Sequence, residues 1–209
     1  MIITEIIGRR GRIWEVRFDD GTYINLDKGY AESFNLKAGM NISEEKADKM
    51  EDESDILRCK NRAFYYLSKG DLSEKKLKEK LIKAGFELRF VQITLERLKE
   101  LSYIDDARFA NRFYEKCRQS GLSSRQSVEK MVAAGIKRQT AREICEYSSL
   151  YERESIKRLI DKKYRNKICG EDGIKKTTAA LVRRGFAFSD IRAVIKEFSS
   201  VLDGVNEEL

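Results

Sequence analysis

The sequence predicts a mainly α-helical protein: three tandem three-helix repeats with a period of 50 residues, behind a small N-terminal domain built on a β-hairpin or meander. Three observations predict it. Glycines recur at positions 85, 135 and 185, each closing a helical pattern. Around them apolar character stays in step without a gap: Leu81, Met131 and Leu181 one turn before the glycine, Phe86, Ile136 and Phe186 after it, then Val91, Ala141 and Ile191. A period of this length is the mark of a repeat architecture. Third, residues 1–27 lack helical periodicity and are rich in β-branched and aromatic types between turn signals.

Taken in order, Ile2, Ile3, Ile6 and Ile7 begin a first strand, Gly8-Arg9-Arg10-Gly11 is a turn, and Trp14, Val16 and Phe18 alternate along a second strand. Asp19-Asp20-Gly21 turns the chain into a third strand at Thr22-Tyr23-Ile24. Such a meander needs one face covered, and a short helix near 28–34 with Leu36 and Ile42 can cover it. Ser43-Glu44-Glu45 starts a further helix, and the polar run 51–55 leads into the first repeat. The expected domains are therefore 1–55, 56–104, 105–150 and 151–209.

In the first repeat, helix one is expected near 56–69, with Cys59, Ala63, Phe64 and Leu67 as its apolar stripe and Gly70 as its stop. Ser73 caps helix two, which carries Leu77, Leu81 and Ala84 to Gly85. Helix three, near 87–101, aligns Val91, Thr94, Leu95, Leu98 and Leu101 on one face. Helices of ~12–15 residues are marginal alone, so packing must hold them, and neighbouring repeats are expected to share apolar contacts. At the joint to the second repeat, Asp105 and Asp106 invite an enzymatic reading. Adjacent helical residues do not face each other, however, and aspartate at a helix start caps free N–H groups and meets the positive dipole end.

Composition narrows the function. Hydrophobic residues make up 41% and charged residues 37%, which fits a soluble protein with modest cores. No apolar stretch approaches the ~18 residues of a membrane span, and the opening residues lack the order of a signal peptide, so a cytoplasmic location is expected. Cys59, Cys117, Cys145 and Cys169 form no CxxC pair and there is no histidine, so neither zinc nor the commonest general base is on offer. Cys59, Cys117 and Cys145 align with apolar residues of other repeats and read as core. The phosphate-loop pattern GxxxxGK[ST] is absent. We expect no enzyme, cofactor or metal.

Charge separates along the chain: residues 1–56 carry net −5 and residues 57–209 net +12. A basic helical array favours a polyanion or an acidic protein surface. Arg108, Arg112 and Lys116 stand four apart and form one stripe, followed by Arg118. Arg158 and Lys162 lie in the corresponding part of the third repeat, with Lys175, Lys176, Arg183 and Arg184 on the next helix. Arg9, Arg10 and Arg12 sit at the tip of the N-terminal hairpin. These thirteen residues are the candidate partner- or anion-binding set. Arginine recurs at 58, 108 and 158, which an inter-helix salt bridge would also produce. Tyr65, Tyr66, Tyr114 and Tyr151 interleave with the basic residues and divide between core packing and stacking.

The stretches LSKGDLSEKKLKEKLIKAGF, ERLKELSYIDDARFANRFYEKCRQSG and SVEKMVAAGI resemble RecX, the family of bacterial regulators of the RecA recombinase. The resemblance covers about residues 57–200, while residues 1–55 are similar to the N-terminal extension of some firmicute-type members. The chain departs at Ser123-Ser124-Arg125-Gln126-Ser127, where the family often carries basic and apolar residues, and the third repeat is more divergent. The resemblance implies an elongated curved body of three three-helix repeats. It implies a non-catalytic protein that lies in the groove of the RecA–single-stranded-DNA filament and inhibits its ATPase, strand-exchange and coprotease activities, within recombination, DNA repair and the SOS response. A monomer is expected because no heptad seam or large spare apolar stripe is visible. The alternative is a basic helical-repeat module that binds single- or double-stranded nucleic acid directly.

Overall fold

The computed structural model describes residues 1–146, 148–168 and 170–206, with side chains to residue 198. The strands β1 (Ile3–Arg9), β2 (Ile13–Phe18) and β3 (Tyr23–Asp27) form an antiparallel meander in the order β1-β2-β3. Val16 pairs with Ile6 on one side and Ile24 on the other. Period-two alternation puts Ile3, Val16, Phe18, Ile24 and Leu26 on one buried face. Ala31 of α1 (Lys28–Ser33), Leu36, Ile42, and Ala47 and Met50 of α2 (Glu44–Ser68) cover that face, as the sequence predicts.

One expectation changes. Where two helices were expected on either side of residue 55, α2 is a single helix of 25 residues. The reason is local and tertiary together. Ser43 caps it by accepting from the Lys46 N–H, and no glycine or proline interrupts it before Gly70. The polar run 51–55 is helical because its side chains have partners. Glu51 accepts from the Asn25 N–H at 3.0 Å, Ser54 accepts from the Asp27 N–H at 2.7 Å, and Glu53 accepts from the Tyr30 hydroxyl at 2.6 Å. Asp52 pairs with Arg89 at 2.9 Å and Asp55 with Arg58 at 2.6 Å. The first half of α2 thus roofs the sheet, and its second half is the first helix of repeat one.

That repeat continues with α3 (Glu74–Lys83) and α4 (Leu88–Glu100) around Cys59, Ala63, Leu77, Leu81, Val91, Leu95, Leu98 and Ile104. Leu101 departs from expectation: α4 stops at Glu100, and Leu101, its C-cap, is exposed. The second repeat is α5 (Asp106–Gln119), α6 (Ser124–Ala133) and α7 (Arg138–Ile144), with Ala110, Met131, Ile136, Ala141 and Cys145 buried. The third is α8 (Ser149–Leu159), a π turn (Ile160–Tyr164), a 3₁₀ turn (Arg165–Lys167), α9 (Gly170–Arg183) and α10 (Phe188–Asn206). Its core holds Ile156, Ile160, Ile168, Leu181, Phe186 and Ile191. Gly85, Gly135 and Gly185 take φ of 93°, 98° and 82°, a left-handed backbone that closes the second helix of each repeat and that a Cβ disfavours.

The chain divides into two compact units, Met1–Asp105 and one beginning at Asp106. Within the second, repeats two and three each close an apolar core of their own, and hydrogen bonds join them. The N-terminus of α6 supplies the reason, since its first N–H groups have no partner inside the helix. Glu152 of α8, 2% exposed, accepts from both the N–H and the hydroxyl of Ser124, at 2.7 and 2.6 Å. Ser123 caps α6 by accepting from the Gln126 N–H and donates to the Arg184 carbonyl at 2.7 Å. The Tyr151 hydroxyl donates to the Leu122 carbonyl at 2.8 Å. The serine-rich run 123–127 therefore lies at the joint between two repeats.

Cys59, Cys117 and Cys145 are free, buried and part of the cores, while Cys169 lies outside the described residues. Burial pushes all three thiols up, Cys145 to about 11, with Cys117 beside it adding to the effect. Thiolate is the reactive form. Iodoacetamide at pH 8 should therefore leave these three unmodified in the native protein and modify them in urea. Peptide mass spectrometry reads this directly, and rapid native labelling of Cys117 or Cys145 would contradict the buried placement.

Candidate functional site

The candidate cations fall into distinct environments. On α5, Ala110 and Cys117 are buried and Phe109, Phe113 and Tyr114 pack on the core, so Arg108, Arg112 and Lys116 share the opposite, exposed face. Arg118 is drawn elsewhere: its guanidinium lies 4.9 Å from the ring centroid of Tyr151, which comes from the third repeat, and 3.6 Å from Glu115. Asp106 is the first residue of α5 and Asp105 immediately precedes it, where a negative charge meets the positive end of the helix dipole.

Arg158 is exposed on α8 and, among the described residues, contacts its own helix, with Nε 3.4 Å from the Glu154 carbonyl. Arg58 likewise pairs with Asp55 three residues back. At these two positions the arginine column makes contacts within a helix, where the sequence suggested salt bridges between helices. Lys162 is exposed in the π turn. Lys175 reaches Glu171 at 3.4 Å, and Lys176 and Arg183 are exposed on α9. Arg184 is half-buried just beyond α9. With Leu122, Arg125, Gln126, Glu129 and Lys130 it lines a cavity of about 550 Å³. Arg125 and Lys130 were not singled out from sequence. Nothing in the linear pattern brings them to Arg184; the Ser123–Arg184 hydrogen bond does.

The hairpin arginines also separate. Arg9 is the last residue of β1, and its Nε and Nη2 both donate to Glu15 at 2.9 Å. Arg17 donates to the same carboxylate at 2.7 Å, and the two guanidiniums hold Glu15 down at about 2. Arg9 is thus committed to the sheet. Arg10 and Arg12 are exposed in the loop. Of the four interleaved tyrosines, Tyr151 is buried, Tyr66 and Tyr114 are half-buried, and Tyr65 is exposed. Among the described residues no three His, Cys, Asp or Glu side chains come together as metal ligands, and no helix is long and apolar enough to cross a membrane. The arrangement offers cationic, hydrogen-bonding and ring contacts.

A family model for the first three-helix domain of RecX matches residues 59–98, the stretch that closes the core of repeat one. Regulatory protein RecX of Clostridioides difficile (strain 630) is 29% identical over 86% of both chains. That of Caldanaerobacter subterraneus subsp. tengcongensis is 27% identical over 93% of this chain and 98% of its own length. Over most of its length the chain is thus similar to regulatory proteins of the RecX family. A crystal structure of regulatory protein RecX shares the fold at a TM-score of 0.66 and 18% identity, covering 92% of this chain and 98% of that one. RecX from Lactobacillus salivarius shares it at 0.63 and 19%, over 69% of this chain and 97% of that one. The RecX match on repeat one includes Cys59, Leu77, Leu81, Val91 and Leu95, so the matched stretch and the core coincide there. The chain thus has the mainly helical fold of these structures, and it carries a three-stranded sheet at its N-terminus.

Proposed function

We propose that this RecX-family protein binds the RecA–single-stranded-DNA filament in the cytoplasm as a monomer and inhibits its ATPase, strand-exchange and coprotease activities without catalysing a reaction itself. Relatives over nearly the whole chain are named regulatory protein RecX, and this is the observation that carries the reading. The exposed face of α5, with Arg108, Arg112 and Lys116 at four-residue spacing, supports it physically. A stripe of that kind suits acidic protein surface or phosphate, and contacts from several repeats on one filament would add through effective concentration. Arg158, Lys162, Lys176 and Arg183 extend the same chemistry in the third repeat, and Arg125, Lys130 and Arg184 offer a concave version of it.

The alternative, direct nucleic-acid binding, rests on the same stripe and differs in salt response. Phosphate contacts on a single strand weaken with a log–log slope of roughly −0.7 each, whereas a protein groove with apolar and hydrogen-bonded contacts survives better. The test is the DNA-dependent ATPase of the cognate recombinase on long single-stranded DNA, titrated with this protein at several salt concentrations. Inhibition well below one copy per recombinase, persisting at moderate salt, is the expected result. Inhibition only at DNA-coating amounts and lost with salt would mean competition for DNA. No inhibition at any ratio would remove the regulator reading.

A further inference from the structure

The N-terminal hairpin and α2 enclose a cleft of about 580 Å³ that none of the surfaces above uses. Its origin is legible in α2. The first half of that helix carries seven carboxylates from Glu44 to Asp55, and the second carries Arg58, Lys60 and Arg62. The acidic half is held against β3 through Glu51 and Ser54 and against α1 through Glu53. The basic half emerges where the hairpin loop overhangs it, so Arg12 of the loop faces the same space as Arg58, Asn61, Arg62 and Tyr65.

The details point to a ligand rather than to packing. Arg12 has φ of 64°, directly after Gly11 at 76°, in a region L side chains rarely adopt. Its carbonyl accepts from the Lys28 N–H at 2.8 Å, which fixes the loop beside α1. Among the described residues neither Arg12 nor Arg62 has a carboxylate within ion-pair distance, whereas Arg58 is held by Asp55. Asp27 also lines the cleft, but its Oδ1 accepts the N–H groups of Gly29 and Tyr30. The Tyr65 ring is 52% exposed, with the Arg62 guanidinium 5.8 Å and the Lys69 ammonium 5.3 Å from its centroid.

We propose that this cleft binds a nucleotide of single-stranded nucleic acid, with a backbone phosphate between Arg12 and Arg62 and the base against the exposed ring of Tyr65. Unpaired cations track a phosphate backbone, and an exposed aromatic ring takes any unstacked base. A duplex keeps its base faces stacked and offers nothing to Tyr65. An acidic peptide would meet the arginines and leave the ring without a partner. The assignment goes beyond the filament reading and does not depend on it, because the residues invoked there lie on α5 to α9.

The test is fluorescence anisotropy of the full chain with a short labelled oligothymidylate, over a range of salt, with an unlabelled duplex as competitor. Arg12→Gly, which keeps the left-handed backbone, combined with Arg62→Ala should weaken binding tenfold or more and flatten the salt slope by roughly 1.4, two single-strand contacts. Tyr65→Ala should weaken it about 5- to 150-fold, the range of one lost base stack, and Tyr65→Phe should match wild type. All these side chains are exposed, and unchanged circular dichroism would confirm folding. Wild-type affinity in the double variant, equal binding by Tyr65→Ala and Tyr65→Phe, or a duplex that competes as well as the single strand would each overturn the assignment. The same variants in the ATPase titration separate the two readings. Oligonucleotide binding that depends on Tyr65, with no inhibition by the wild type, would leave the cleft standing and remove the regulator. Inhibition without such binding would do the reverse.

Discussion

Glu152→Ala is expected to lower the stability of the second unit by about 3–4 kcal/mol, because it strips a buried acceptor from two buried donors and leaves a cavity. The Ser124 N–H is one of the first amides of α6 and has no partner inside the helix. Glu152 is 2% exposed and accepts both that N–H and the Ser124 hydroxyl on Oε1, while Oε2 has no partner among the described residues. Glu152→Gln keeps an acceptor for both donors and places an amide where the buried Oε2 stood, so it should cost about 1 kcal/mol. Urea unfolding followed by circular dichroism gives the two values, and hydrogen exchange at the Ser124 amide locates the effect. A loss below 1 kcal/mol for the alanine variant, with Ser124 still protected, would mean that the joint does not rest on this pair. The repeat pattern places Glu152 and Ser124 in different repeats, so the loss should extend to both cores.

Gly173→Ala is expected to destabilise the third repeat by about 3 kcal/mol through forced overpacking. Gly173 lies in the first turn of α9, and a Cβ there would run into the carbonyl oxygen of Lys167, with the carbonyl carbons of Lys167 and Ile168 at 3.3 Å. These are backbone atoms at the end of the 3₁₀ turn, so no flexible side chain can yield. Gly185→Ala is a useful comparison. Its φ is 82° and the added Cβ would meet the Ser123 hydroxyl at 3.0 Å and Arg125 at 3.3 Å, partners that can move by a few tenths of an ångström. It should cost about 1–2 kcal/mol, mainly from the left-handed backbone. Thermal melts of both variants give the order. Gly173→Ala melting with wild type would show that α9 need not approach Lys167 so closely.

These effects show how a period becomes a fold. The repeat is written in local terms: a glycine where a left-handed backbone ends each second helix, and apolar residues at three- and four-residue spacing that must face inward. Leu81, Met131 and Leu181 are all fully buried, as are Val91, Ala141 and Ile191. The meander was equally legible, because alternation along a strand assigns faces without knowledge of the partner. So were the serine caps at Ser43 and Ser73, each accepting an N–H three residues on; the same cap at Ser123 emerged only with the structure.

By itself, then, the sequence determined the mainly helical class, the 50-residue period, the three-stranded sheet, the core positions and the likeness to RecX, all of which depend on neighbours within a few turns. Only the tertiary structure decided where the polar residues go. It kept α2 whole by giving the run 51–55 partners on β3, α1 and α4, drew Glu152 and Arg184 onto the start of α6, tied Arg9 to Glu15, and set Arg12 opposite Arg62 and Tyr65. The physical reason is that an apolar side chain needs only to leave water, which periodicity foretells. A hydrogen bond or an ion pair needs a particular partner at about 3 Å, and the fold alone brings distant residues to that distance.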